Sequence, residues 1–256
     1  NNFRDVHTFD GTLGQHFTST ESFTPEQKVQ LFSDFRDKLH SDTGKLMIQS
    51  IIVDLDNQNN IDSVIHLAAV LSVGESERNP GKYNRINFDG TKKLLAAIKN
   101  TKVKNFIFSS TCAVYKDGFT KVTEKTKVDP TSVYGKTKLK CEKIIKNFCK
   151  KNKLNYGILR YFNVAGASAS GKIGQINKGD QLFKNLSSEI RKKKPIFRIY
   201  GTNYKTPDGT CVRDYIHVCD IADIHSKLLK KISSINKSVI LNCGYSKGLS
   251  VKQVVN

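Results

Sequence analysis

Asn105-Phe106-Ile107-Phe108-Ser109-Ser110-Thr111 decides the fold. Asn105–Phe108 is a short, largely apolar run of strand type, and it ends in three small hydroxyl residues. Upstream, Ile48–Val53 and Val64–Leu67 are similar runs, the second closed by the small pair Ala68-Ala69. Asn87–Asn100 reads as a helix with Leu94, Leu95 and Ile98 on one face. Downstream, residues 134–149 give a second helix with Cys141, Ile145 and Phe148 at i, i+4 and i+7; Gly157–Tyr161 and Val239–Asn242 are further strands. Mostly apolar strands that alternate with helices predict an α/β fold, a doubly wound parallel sheet covered on both faces. Ligands of such sheets bind beyond the carboxyl ends of the strands. That rule singles out Ser109–Thr111 and Tyr161–Asn163.

A chain of 256 residues holds one or two domains and a sizeable core. With 38% hydrophobic and 25% charged residues it reads as globular, not disordered. No window approaches roughly eighteen consecutive apolar residues, so no membrane span is expected. The N-terminus lacks the basic-then-apolar order of a secretory signal. It also lacks an initiator Met, as in a processed or partial copy. The net charge of +19 comes mostly from dispersed lysine. Nucleic-acid binding favours arginine clusters interleaved with aromatics, so no nucleic-acid partner is expected. Arg191-Lys192-Lys193-Lys194, just before Pro195, reads as cations at a helix C-terminus. The six cysteines form no C-x-x-C and show no zinc spacing. No metal site is expected, and the cysteines read as reduced thiols of a cytoplasmic protein. The sequons at Asn185 and Asn236 then read as chance matches. Residues 1–45 are polar and remain unassigned, apart from an amphipathic helix carrying Val29, Leu31, Phe32, Phe35 and Leu39 after Thr24-Pro25-Glu26.

Three clusters carry chemistry. Tyr134 and Lys138 stand at i, i+4 and share a helix face. An ammonium beside a phenol favours the phenolate. Work near neutrality needs a drop of roughly three units from ~10, about 4 kcal/mol, more than one lysine usually supplies. A second positive charge, such as an oxidised nicotinamide ring, would help. A Y-x-x-x-K match is common by chance in a lysine-rich chain; its weight comes from Ser109–Thr111 upstream, where Thr111 suits holding the substrate oxygen that loses its proton. The second cluster is Leu159–Ala167, whose small residues after a strand allow close backbone approach to a ligand. There Asn163 suits a hydrogen bond to phosphate or sugar, or an ordinary turn. The third is Thr206–Val218, with a Pro207-Asp208-Gly209 turn followed by Arg213. Arg213 suits a bidentate clamp on a diphosphate, or an ion pair with Asp214 or Asp220.

From about Ile61 onward the chain resembles the UDP-glucose 4-epimerases of the extended short-chain dehydrogenase/reductase family. The resemblance is carried by Asp62–Ser76 (DSVIHLAAVLSVGES), Phe106–Tyr115 (FIFSSTCAVY), Tyr134–Lys138, Leu159–Ala167 and, most diagnostically, Thr206–Ala222. It implies a Rossmann-like NAD-binding domain over 46–165. A smaller substrate-binding region over 166–256 would send segments back to the first domain. It implies reversible inversion at sugar C4 of a UDP-hexose, by transient oxidation with NAD to a 4-keto sugar. Tyr134 would take the O4 proton; Lys138 would lower its pKa and bind the nicotinamide ribose; Thr111 would hold O4. Asp54, on the adenine side, and Leu67, Ala68, Ala69, Asn87, Ser109, Lys138 and Phe162 match positions beside NAD. Asn163 and Arg213 would hold the UDP moiety, and Leu182 and Tyr200 match positions lining the substrate pocket. Gln181 stands where relatives carry Asn or His. The family also suggests a homodimer through the 87–100 and 134–149 helices. A dehydratase would need an acid beside Thr111; Cys112 stands there and disfavours dehydration.

The family opens with a strand, G-x-x-G-x-x-G and a helix, which seat the pyrophosphate. The nearest string here is Gly11-Thr12-Leu13-Gly14, with Phe17 in place of the third glycine and no apolar strand before it. The chain also stops soon after Asn242-Cys243-Gly244. Weak NAD binding and poor solubility of the chain alone are therefore expected. A catalytically inactive remnant, or an epimerase of another nucleotide sugar, stay open beside the leading reading.

Overall fold

The structure, a computed structural model, describes residues 62–256 except 119, 120, 169, 172 and 176–180, together with the backbone at Phe9–Asp10 and Gln15–His16. The chain divides into two units, Asn1–Ile61 with Lys93–Lys102, and Asp62–Lys92 with Val103–Asn256. In the first, Phe9 pairs with His16 and Asp10 with Gln15, antiparallel, on either side of Gly11–Gly14. Ile48–Val53, Asp54 and the helix expected near Val29–Leu39 lie outside the described residues.

In the second unit, Ser63–His66 (β1), Asn105–Thr111 (β2), Asn155–Tyr161 (β3) and Val239–Cys243 (β6) form a four-stranded sheet in the order β1-β2-β3-β6. All three pairings are parallel, as expected from the apolar character of the strands. Asn163–Ala165 (β4), Val212–His217 (β5) and Gly248–Ser250 (β7) make a second sheet, with β4 parallel and β7 antiparallel to β5. Among the described residues the α-helices are Val73–Arg78 (α1), Pro80–Tyr83 (α2), Gly90–Ala97 (α3, divided between the two units at Lys92), Val133–Asn152 (α4), Leu182–Ile190 (α5), Val218–Ile235 (α6) and Val251–Val255 (α7).

Alternation along β2 and β3 sends side chains to opposite faces. Ser110 and Arg160 reach α4 through Glu142. Ile107 and Leu159 join a core with Leu228 and Ile232 of α6. Helices therefore cover both faces. Gly157 lets α6 approach this closely, because a Cβ there would come 2.6 Å from Leu228 Cδ2.

β2 ends in Ser109–Thr111 as expected, and these residues pair with Leu159, Arg160 and Tyr161. Two local expectations are corrected. The apolar face of α4 continues to Cys149, four residues beyond the buried Ile145, while Phe148 is only partly buried. The helical run expected over Asn87–Asn100 starts earlier, at Pro80, and passes through a π-helical turn at Asn84–Asp89. The Arg191–Lys194 run stands at the C-terminus of α5 as expected, with Arg191 as its C-cap and Lys192 paired to Glu189 at 2.5 Å.

Candidate active site

The N-terminus of α4 is capped from three sides. Ser132 Oγ accepts the Gly135 N–H (3.0 Å), Ser76 Oγ the Tyr134 N–H (3.1 Å) and Glu77 Oε1 the Val133 N–H (2.8 Å). These bonds satisfy donors that a helix start otherwise leaves open, and dock α1 there. Gly135 completes the fit: a Cβ would come 2.2 Å from the Ala113 carbonyl oxygen, so only glycine lets α4 rest on the 112–114 turn. Tyr134 is thereby held in the first turn, 8% exposed, with its ring edge-on to Tyr83 at 6.4 Å.

One turn further along, Lys138 is 2% exposed. Its Nζ donates to the Ser109 carbonyl at 2.8 Å and lies 4.8 Å from the centre of the Phe108 ring. Thr111 Oγ1 accepts the Ala113 N–H, and its hydroxyl acts on the nearby Tyr134 phenol, favouring the phenolate. The structure thus brings Tyr134, Lys138, Thr111 and Ser109 together at the carboxyl end of β2. Burial dominates the electrostatics. It pushes the Tyr134 phenol up to about 12, against the Thr111 hydroxyl and with help from the Cys112 thiol. It pulls the Lys138 ammonium down to about 8, although Cys141 and Glu142 act the other way. His66, partly buried and bonded through Nε2 to Thr91 Oγ1 at 2.9 Å, is held down at about 4 by desolvation and by the Lys138 ammonium.

Leu67 and Ala68 are exposed just past β1, with Ala69 partly buried. Asn87, on the π-helical turn, is buried and spends its amide on this loop: Oδ1 accepts the Val70 N–H (2.9 Å) and Nδ2 donates to the Val70 carbonyl (3.1 Å). Phe162 and Asn163 follow β3 directly. The Phe162 N–H donates to the Cys243 carbonyl, and Asn163 opens β4 opposite Tyr215. Arg213 is exposed on β5, donates to the Val212 carbonyl at 3.3 Å and acts electrostatically on the Cys112 thiol. Its alternative partners are engaged elsewhere. Asp214 accepts the N–H groups of Tyr245 and Ser246, and Asp220 accepts the Tyr245 hydroxyl. Leu182 and Tyr200 line a different feature, a groove of about 580 Å³ between α5 and residues 196–200, rimmed by Lys192, Lys194 and Arg198; neither Tyr134 nor Lys138 lines it. Gln181 caps α5 beside it without a side-chain hydrogen bond.

Sequence reasoning missed Glu142 and Arg160, a buried ion pair beneath the site (2.7 Å). The available signal was an arginine inside the apolar run Gly157–Tyr161, where a charge needs a buried partner. Among the described residues no His, Cys, Asp and Glu cluster is suited to a metal, and no helix is long and apolar enough to cross a membrane.

Comparison with known proteins follows the same residues. Residues 15–244 match the model of the NAD dependent epimerase/dehydratase family. The chain belongs to that family. Among family relatives, it is 38% identical over 199 residues to a UDP-glucose 4-epimerase of Azospirillum brasilense, covering 77% of this chain and 57% of the relative. It is 40% identical over 205 residues to a probable UDP-arabinose 4-epimerase of Arabidopsis thaliana, covering 78% and 50%. The chain thus spans about half the length of these two relatives. The crystal structure of UDP-glucose 4-epimerase from Brucella ovis in complex with NAD superposes with a TM-score of 0.74 at 34% identity, covering 81% of this chain and 64% of that one. The parallel sheet flanked by helices is the Rossmann-like fold of this family.

Proposed function

We propose that this chain carries the catalytic half of an NAD-dependent UDP-sugar 4-epimerase, interconverting UDP-glucose and UDP-galactose. The observation that carries the reading is the convergence of Tyr134, Lys138 and Thr111 at the end of β2. The described residues fit the nicotinamide end of NAD. The Lys138 ammonium and the Ser109–Thr111 strand end are at the rim of the sheet, and the exposed Leu67-Ala68 backbone leaves room beside them. NAD, when bound, supplies a reversible acceptor for the hydride at sugar C4. Thr111 positions the O4 hydroxyl, and Tyr134 takes its proton. Lys138 supplies positive charge one turn away. A phenol at about 12 is protonated at neutral pH, so charge added by bound ligands must lower it before it can act as base. On the return step Tyr134 gives the proton back to O4.

Asn163 and Arg213 are read as holding the UDP moiety, and Leu67, Ala68, Ala69, Ser109 and Phe162 as lining the cofactor. Asn87 acts on that site through Val70. Gln181, Leu182 and Tyr200 are assigned to the substrate side through the α5 groove, whose Lys192, Lys194 and Arg198 suit phosphate. A cytoplasmic location fits six unpaired cysteines. A homodimer through α3 and α4 rests on the family resemblance, and sedimentation tests it.

The direct test is to incubate the chain with UDP-galactose and NAD and follow UDP-glucose by NMR. Appearance of the C4 epimer supports the reading, and its absence with NAD bound argues against it. In the same preparation, Arg213→Ala should weaken UDP binding by roughly 1.5–3 kcal/mol, the range for a hydrogen bond to a charged group. Unchanged affinity by calorimetry would remove Arg213 from the diphosphate site.

A further inference from the structure

Glu142 and Arg160 have no part in the chemistry above, yet both are buried. Their side chains are 0% and 4% exposed. The guanidinium grips the carboxylate as a fork, Nε to Oε1 at 3.0 Å and Nη2 to Oε2 at 2.7 Å. Ser110 Oγ donates to the same Oε1 at 2.6 Å. Arg160 Nη1 donates to the Tyr115 hydroxyl at 2.9 Å, which itself donates to Asn242 Oδ1 at 2.8 Å. One network therefore ties α4 to β2, β3 and β6. Two charges removed from water persist only when geometry and further hydrogen bonds compensate them, and here the fork, Ser110 and Tyr115 all contribute.

Placement gives the network a role beyond cohesion. Glu142 follows Lys138 by one turn and Tyr134 by two, on the same helix face. Ser110 lies between Ser109, whose carbonyl receives Lys138, and Thr111, whose hydroxyl meets Tyr134. The other buried α4 side chains include Ile145 and Cys149, which are apolar and non-directional and so set no register by themselves, while Cys141 Sγ donates to the Asn87 carbonyl at 3.3 Å, on the π-helical turn and not on the sheet. We propose that the Glu142–Arg160 pair, tied to Ser110, is the positioning element that fixes α4 on the sheet so that Tyr134 meets Thr111 and Lys138 meets Ser109. The idea rests on the reading of Tyr134 and Lys138 as the working pair, and its test is independent of turnover.

The test uses the full chain with Glu142→Met and Arg160→Met combined. Apolar replacement of both partners of a buried pair is often neutral or stabilising, so the fold should hold, and thermal unfolding checks it. The readout is the tyrosinate absorbance of Tyr134 against pH, isolated by subtracting the same background carrying Tyr134→Phe. The groups acting on the phenol are Tyr83 from α2, Thr111 at the end of β2, Cys112 in the turn after it and Tyr161 from β3, with Lys138 one turn further along the same helix. None of these side chains is altered. Glu142 does act on the Lys138 ammonium, so the step is also read in the same two backgrounds carrying Lys138→Met, where that route is absent and a moved step reports a moved ring. The expected result is a shift of at least about one pH unit toward the ordinary phenol value. A folded double variant with an unmoved step overturns the proposal. Should the double variant not fold, Ser110→Ala cuts only the tie to the strand. A smaller shift in the same direction is then expected, and an unmoved step overturns the proposal. A shifted step in a chain that does not epimerise keeps the positioning role and removes only the proposed function.

Discussion

Helices α4 and α5 teach opposite lessons about amphipathicity. α5 has the cleaner apolar stripe, Leu182, Phe183, Leu186 and Ile190, and buries none of its residues; Phe183 is 37% and Ile190 65% exposed. α4 reads as a lysine-rich surface helix and buries eight residues, among them Thr137, Lys138 and Glu142. The difference is the partner. α4 lies on β2 and β3, where Ser109, Ser110 and Arg160 offer polar groups at matched heights. α5 faces the open groove of residues 196–200. Burial of polar side chains with partners, rather than an apolar stripe, marks the helix proposed to carry the chemistry.

Substitutions on the two helices sharpen the contrast, the largest effect first. Tyr134→Phe should lower epimerisation by on the order of 10²–10⁴ while the chain remains folded, as for loss of a well-placed base. Near-normal turnover would break the assignment. Glu142→Ala leaves Arg160 charged and buried, and should cost about 3–5 kcal/mol in denaturant unfolding. Lys138→Met isolates a buried ammonium held at about 8 rather than 10.5. Between those pH values the unfolded wild type binds more protons than the folded one, so wild-type stability rises with pH there. The variant lacks this slope. Its stability relative to wild type should be highest below about pH 8 and should fall by on the order of 3 kcal/mol as pH rises to 10.5. A flat difference would mean that Lys138 is not desolvated. Gly135→Ala should destabilise by roughly 1–3 kcal/mol, since its Cβ meets the Ala113 carbonyl, which is backbone and cannot step aside. On α5, Leu186→Ala should cost less than about 1 kcal/mol, because the site is already partly solvated. A loss as large as that of Glu142→Ala would erase the contrast between the helices.

The same contrast explains what was legible in the sequence. Strand runs with two apolar faces announce a buried parallel sheet, and β1, β2, β3 and β6 fall within a few residues of expectation. Tyr134, Lys138 and Thr111 were legible because spacing and a strand end converge on them. Glu142 was hidden in Lys140-Cys141-Glu142-Lys143, where a solvated glutamate looks identical. Its burial follows from Arg160, eighteen residues away in no local pattern but beside it once α4 packs on the sheet. The direction of the phenol's shift was also illegible. The i, i+4 ammonium argues downward, but burial between α1, α2 and the 112–114 turn raises it, and that is a tertiary effect.

The central claim is that C4 is inverted by transient oxidation at the Tyr134 site. UDP-galactose deuterated at C4, turned over by the full chain with NAD and read by NMR, tests it most directly. The account predicts UDP-glucose that keeps its deuterium at C4, formed on the order of 10²–10⁴ more slowly by Tyr134→Phe. Product that has exchanged its label with solvent, or a variant as fast as the wild type, would contradict it.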